Sequence, residues 1–464
     1  MKMHIQVVID NDQGQTYLKE LICLDKGTGT EDLVGLSLAE SKQLLKQLQI
    51  SIIQHQAKTY TEAHRCCPDC EKPRSIKGQS EIQYRTLFGI IPVPNQRLYH
   101  CQCAASTTQT FSVLNDWLSD HNSPELQYME TKWSSLMSYG LTVDLLKDVL
   151  PINDGLNAET VRRHLHQVAK HQDKRLQKTA SYLLGCPMEW GQLPKPDKPL
   201  TVGIDGGYVR DCRQKKNHFE VIVGKCFSKT QTGKRLGFVQ KLEAHPQRRL
   251  MHLLNEQGMQ ANQQISFLSD GGDTVRSLQY IMHPEAEHVL DWFHVTMRLT
   301  VLNQFAKGLA QADPVLGKDV TKGLESSKWH LWHGNVKKAL DKLEDCTFYL
   351  DNENVQYTNR KKFLKQLEEM WTYIDNNRHL IPNYGEKYRY GETITTAFVE
   401  STVNEVIAKR MVKKQQMQWS PEGAHYLLQT RTAVLNGELR NHFEEWFPAM
   451  KPQRESVREL PMAA

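Results

Sequence analysis

Several features are missing from this chain of 464 residues, and each absence narrows what it can be. No stretch approaches the roughly 18 consecutive apolar residues of a membrane-spanning helix. The first residues, MKMHIQVVIDNDQGQ, lack the basic head, apolar middle and small-residue cleavage site of a secretory signal, so a cytoplasmic location is expected. Internal repeats and low-complexity tracts are absent, which argues against a solenoid or a disordered linker protein. An excess of one charge sign is lacking too: 58 basic residues face 53 acidic ones, and a net charge of +5 says little about partners at this length. The length itself exceeds one ordinary core, so two to four domains are expected.

What is present is unevenly distributed. Of the ten cysteines, five fall between Cys66 and Cys103, in RCCPDCEKPRS and QRLYHCQCAAS. Without a secretion signal, such clustering favours metal ligation over a disulfide framework. Cys67 and Cys70 form a C-x2-C knuckle, Cys101 and Cys103 a tighter C-x-C, and the stretch between them alternates like a hairpin. This is the layout of a zinc ribbon, in which two turns each offer two thiolates to a tetrahedral Zn2+. Cys66 is an alternative to Cys67, and His64 or His100 to one thiolate. Cys23, Cys186, Cys212, Cys226 and Cys346 have no partner at metal spacing and read as ordinary thiols.

Periodicity and turn signals divide the chain further. Residues 1–60 read as a hairpin around NDQGQ and a helix opened by a serine, and residues 61–110 as the zinc-ribbon-like module. Residues 123–184 form a helical region whose last two helices read as a helix-turn-helix: one ends near Leu150, and a basic one is capped by Asn157. Thr160, Arg162, Arg163 and His166 would then lie at the DNA-facing start of the second helix, with Lys170 further along. A proline-studded linker spans 185–199. Residues 200–300 read as three antiparallel strands followed by helix, strand, helix and strand, which is the order of a ribonuclease H-like sheet with helices on both faces. Residues 301–391 are helical, and their tryptophan stripes read as core. Residues 392–440 supply two more helices, the second opened by a Ser-Pro cap, and 441–464 a C-terminal tail.

Two carboxylates stand out in the strands. Asp205 is expected to close the first strand, in LTVGIDGGYVR, and Asp270 to close the fourth, in FLSDGGDTVR. If those strands are neighbours the two would face each other and repel, unless a hard divalent cation, Mg2+ or Mn2+, lies between them. Two such ions about 4 Å apart suit in-line phosphodiester displacement. The glycines after Asp205 would leave room for DNA and metal. Glu400, in the apolar segment TTAFVESTVNEV, is the best third ligand, because a charge there needs a reason. Glu405 is the fallback, about 140° further around an α-helix.

The ordered set GIDGGYVR, SDGGDTVRSLQYI, EHVLDWFHVTMRL, KWHLWHGN and FVESTVNEVIAKRM resembles the DDE transposases of bacterial insertion sequences, specifically the ISKra group. The resemblance runs from Thr201 to about Leu439. It implies a ribonuclease H-like core, interrupted by an all-helical insertion, with Asp205, Asp270 and Glu400 as the metal-binding triad. Related Mutator-like and hAT transposases carry Cys-x-x-His where this chain has Asp291 and His294. His294 is thus an auxiliary site residue, and Asp291 an auxiliary or an alternative metal ligand. The overall expectation is a multidomain α+β and α/β protein: a zinc ribbon and helix-turn-helix followed by the catalytic core. The expected partner is double-stranded DNA, comprising terminal inverted repeats and target, bound by a homodimer or higher multimer associated with the nucleoid. Arg210, Lys215 and Lys216 in one basic loop, and Lys409, Arg410, Lys413 and Lys414 after the glutamate, are the expected phosphate contacts.

Overall fold

In the computed structural model the described residues are 1–10, 16–27, 30–31, 34–103, 108–152, 155–178, 192–194, 199–214, 217–228, 231–282, 286–351, 356–412 and 418–452. The chain divides into two units, Met1–Val168 with Gly437–Ala464, and Ala169–Asn436. Among the described residues no helix is long and apolar enough to cross a membrane.

The first unit begins with an antiparallel hairpin, β1 (Lys2–Asp10) and β2 (Thr16–Asp25). Helix α1 (Leu38–Ala63) is opened by a capping box, in which the Ser37 hydroxyl accepts the Glu40 N–H while Glu40 accepts the Ser37 N–H. It packs on a three-stranded antiparallel sheet, β3 (Ile76–Thr86), β4 (Gly89–Tyr99) and β5 (Thr110–Ser112). Ile53 and Ala57 of the helix meet Ile82, Ile91, Val93 and Leu114 in a small core. Helices α2 (Pro124–Leu136), α3 (Tyr139–Val149) and α4 (Ala158–Lys178) follow. As the sequence suggests, Leu150 ends α3, and Asn157 caps α4 by accepting the Thr160 N–H at 2.9 Å. The chain end departs from a simple tail. A helix over Leu439–Trp446 packs on α2, with Phe443 edge-on to Tyr128 and Arg440 ion-paired to Glu125 at 2.9 Å.

The second unit is a mixed α+β unit built on five strands: β6 (Leu200–Arg210), β7 (His218–Ser228), β8 (Gln231–Val239), β9 (Ile265–Ser269) and β10 (Glu287–Leu290). Their order is β10-β9-β6-β7-β8. The first three in sequence are antiparallel, and β9 and β10 run parallel to β6. Helices α5 (Pro246–Glu256) and α6 (Asp273–Met282) make the two parallel crossovers. Alternation along β6 assigns its faces. Leu200, Val202 and Ile204 join Leu250, Leu253, Ile265 and Phe267 in the core beneath α5. The opposite face carries Gly203, Asp205 and Gly207 toward α12 (Ala397–Val403), the π-helix Asn404–Val412 that continues it, and α13 (Pro421–Leu435).

Between β10 and α12 lie α7 (Trp292–Ala312), α8 (Pro314–Trp332), α9 (Val336–Leu350), α10 (Arg360–Asn376) and α11 (Tyr384–Arg389). Their core continues onto the sheet through Leu268, Val289 and Leu290. Trp292 and Trp332 pack in or against this core, as the tryptophan stripes suggested. Trp329 departs from that reading, being half exposed beside a surface cavity that it lines with Lys328.

Two expectations about β6 change here. Asp205 does not close the strand: β6 pairs with β7 through Arg210↔His218, and only its pairing with β9 stops early, at Gly203↔Leu268. Of the two glycines that follow Asp205, Gly207 serves helix packing, as Gly203 before it does, while a Cβ on Gly206 would lie 3.2 Å from Glu220 Oε1 on β7. A Cβ on Gly203 would lie 2.0 Å from Val399 Cγ2, and one on Gly207 2.8 Å from Ile407 Cδ1. Gly203→Ala is therefore expected to destabilise the protein by roughly 1–3 kcal/mol, as overpacked cores do. A lower denaturant midpoint with an unchanged m-value would show it.

Candidate functional site

In the first unit, the knuckle forms because the Glu71 N–H bonds back to the Cys67 carbonyl at 2.9 Å, with Glu71 at φ 58° closing the turn. The C-x-C follows β4, so the antiparallel pairing of β3 with β4 returns it to the knuckle. Cys67, Cys70, Cys101 and Cys103 place all four sulfurs within 4.8 Å of one another. Individual separations are 3.4 Å for Cys67–Cys103 and 3.3 Å for Cys70–Cys101. These are far beyond a disulfide, at about 2.05 Å, and near the edge of a tetrahedron with Zn–S bonds of about 2.3 Å. Backbone N–H groups of Asp69 and Cys70 lower the Cys67 thiol to about 6, whereas the neighbouring thiols push Cys103 upward. Four thiolates at this spacing repel unless a cation neutralises them, so the donor set fits zinc. The alternatives fall away: Cys66 does not join the four converging sulfurs, His64 stacks on Tyr60, and His100 packs on Phe111.

In the second unit, a polar cluster sits where β6, β9 and β10 meet the helical insertion. Extending the β6–β9 register from Gly203↔Leu268 sets Asp205 level with Asp270. Asp205 Oδ1 accepts the Gly206 N–H at 2.8 Å, and Asp270 Oδ1 accepts the Gly272 N–H at 2.9 Å. Burial raises the Asp205 carboxyl above its ordinary range. Asp270 and Asp291 add to that rise, while the Gly206 N–H and His294 oppose it.

Asp291 is fully buried as the N-cap of α7. Its Oδ1 accepts the Phe293 and Thr396 N–H groups, each at 2.9 Å. Its Oδ2 accepts His294 Nδ1 at 2.6 Å and the Thr396 hydroxyl. Burial would raise this carboxyl, but the bonds from His294, Thr396 and Phe293 outweigh it and hold it below the usual range. With both oxygens doubly occupied, Asp291 is a structural anchor rather than an alternative metal ligand. The i, i+3 pairing with His294 forms as its spacing suggests. That hydrogen bond, against the opposing effect of burial, raises the His294 pKa, with Asp291, Asp205 and Asp270 adding their charge.

The glutamates behave differently from expectation. Glu400 is exposed, because Val399, not Glu400, turns onto Gly203, so no apolar surroundings demand a special reason for its charge. Glu405 falls in the π-helical turns and pairs with Arg235 at 2.8 Å, which removes it as a fallback. Among the described residues only the cysteine tetrad converges within 4.8 Å, so Asp205, Asp270 and Glu400 are not a tight three-carboxylate cluster. Asp205 and Asp270 each commit one carboxylate oxygen to a backbone N–H.

The expected phosphate contacts divide. Arg162 and Arg163 are exposed on α4, Arg162 being paired to Glu159 at 2.5 Å, while Thr160 and His166 are half-buried. Lys170 is exposed and lies 5.4 Å from the Tyr426 ring; Arg210 and Lys409 are also exposed. Arg410 is fully buried with its guanidinium 5.0 Å from the Trp419 ring, so it is a core cation and not a phosphate contact. Lys215, Lys216, Lys413 and Lys414 lie outside the described residues.

Three residues of the cluster have no sequence motif. Thr396 anchors α12 to Asp291; the Tyr373 hydroxyl donates to the Asp270 carbonyl at 3.0 Å; and Asn377 approaches Gly271, whose φ is 82°. The only hint in sequence is the threonine run ETITT before the glutamate.

No protein-family model matches the chain, and no curated protein matches it.

Two outcomes follow from these centres. Purified protein should carry about one zinc per chain by elemental analysis, and a Cys67→Ser, Cys101→Ser double variant should carry almost none. For the acidic centre, NMR titration should give His294 a pKa above about 6.5, falling toward that value in Asp291→Asn. Because the folded pKa of His294 is raised, its stabilisation is complete below about pH 6.5 and is lost as pH rises through the folded value. Asp291, depressed, stabilises above about pH 3.9 and ceases to do so as pH falls through its folded value.

Proposed function

We propose that the protein is a DNA transposase of the DDE type, acting on phosphodiester bonds through a ribonuclease H-like core. The observation that carries the reading is the β6–β9 register, whose extension two residues beyond Gly203↔Leu268 sets Asp205 level with Asp270, the residue that follows β9. The strand order, in chain order 5-4-1-2-3 with the first three antiparallel, supports the fold assignment. So does the all-helical stretch between β10 and the helix that carries Glu400. The cysteine tetrad and the α3–α4 pair with its exposed arginines are the parts that would engage terminal repeats. Two ends must be held together during transposition, so a homodimer or larger assembly on DNA is the working form.

Held by Asp205 and Asp270, Mg2+ or Mn2+ would supply activation of a water or 3′-hydroxyl and charge neutralisation at the leaving oxygen. The chain's own residues do the rest. The β6–β9 register, extended past Gly203↔Leu268, sets Asp205 level with Asp270, the Tyr373 hydroxyl steadies the Asp270 backbone, and Asp291 fixes both His294 and the start of the Glu400 helix. The His294 ring, cationic over a wider pH range than a free imidazole, presents positive charge where a phosphate must approach two carboxylates.

Asp205→Asn is expected to cut DNA at least about 10³-fold more slowly than wild type, with end binding preserved within a few-fold. The check uses DNA bearing the inverted repeats that bracket the reading frame, assayed with Mg2+ for cleavage and for joining of precut ends. Wild-type cleavage without joining would reassign the protein as a nuclease, and binding alone as a regulator. Full cleavage by the Asp205 variant would remove the site.

A further inference from the structure

Arg298 lies four residues beyond His294 on α7, so the two side chains share one helix face. It is exposed, and its guanidinium rests 4.2 Å from the centroid of the Tyr373 ring. That same Tyr373 donates its hydroxyl to the Asp270 carbonyl at 3.0 Å. The aromatic ring thus connects the cation to the turn carrying one carboxylate, while Asp291 holds His294 on the other side at 2.6 Å. Among the described residues no ion pair occupies the Arg298 guanidinium. A guanidinium resting on a ring still carries N–H donors for a second partner, and a pair of them matches two oxygens of a phosphate. A carboxylate pair repels a phosphodiester, so a substrate of that charge needs cations beside it to approach.

We propose that Arg298 and His294 form a phosphodiester-binding subsite beside the Asp205–Asp270 pair, with Arg298 donating to the non-bridging oxygens. The subsite rests on the phosphodiester chemistry of the function proposed above and gives a substrate-contacting role to Arg298, which lies within EHVLDWFHVTMRL but has no role assigned there. Tyr373 acts as a positioning residue: its ring holds the guanidinium and its hydroxyl holds the Asp270 backbone.

The test uses the dinucleotide thymidylyl-thymidine, with its uncharged methylphosphonate analogue as control, and follows the His294 imidazole resonance of the full-length protein by NMR. Wild type should shift saturably with the diester and not with the analogue. Arg298→Ala should need at least about tenfold more diester, the loss of one charge-assisted hydrogen bond, and Arg298→Lys an intermediate amount. An unchanged titration curve in Arg298→Ala, or equal response to the uncharged analogue, overturns the proposal. A wild-type His294 resonance indifferent to the diester overturns it as well. Unshifted remote methyl resonances in the variant show that the fold is intact. Mg2+-dependent cleavage separates the two claims. Diester binding that depends on Arg298 in a protein that never cuts DNA sinks the transposase reading and keeps the subsite; cleavage with Arg298-independent diester binding does the reverse.

Discussion

The second unit depends on one buried carboxylate. Asp291 is shut off from solvent at the end of β10, where an ion without partners would cost several kcal/mol. Four hydrogen bonds offset that cost, from Phe293, His294 and, twice, from Thr396. They join parts of the chain that are 105 residues apart in sequence. The first turn of α7, the orientation of His294 and the entry to the helix bearing Glu400 all follow from that single group. The helical insertion is thereby closed at its base: Thr396 brings the chain back to the sheet that it left at Leu290.

Charge explains the rest of the arrangement. The β6–β9 register, extended past Gly203↔Leu268, sets Asp205 level with Asp270, and burial together with repulsion from Asp270 makes ionisation of Asp205 harder. His294 relieves part of this, since its raised pKa places a positive charge near both. On the other flank, Tyr373 carries Arg298 on its ring and the Asp270 carbonyl on its hydroxyl. The insertion therefore does more than fill space, because α10 sets the backbone geometry of the second carboxylate.

The first unit solves a different problem. Its hairpin β1–β2 is largely exposed and the core between α1 and β3–β5 is small, so this part of the unit has little apolar burial of its own. A tetrahedral ion held by Cys67, Cys70, Cys101 and Cys103 would cross-link the open end of the β3–β4 hairpin, opposite its turn.

Local features were legible in the residues themselves: the cysteine spacing, the capping serines at 37 and 420, the Asn157 cap, and the order of strands and helices in the second unit. Each depends on contacts within a few residues or on a period set by backbone geometry. Side-chain destinations were not legible in the same way. Arg410 and Glu405 looked like available charges, yet one is buried against Trp419 and the other is paired with Arg235. The π-helical turns have no pattern distinct from an α-helix. They persist because the Arg431 guanidinium, from α13, bonds the carbonyls of Glu405 and Val406. Gly207 looked like room for a ligand and is room for Ile407. By itself, then, the sequence determined the elements, their order, the thiolate cluster and the two strand carboxylates, since local sterics and period specify these. Only the tertiary structure decided which side chains meet, because that depends on surfaces brought together from positions that no local interaction relates.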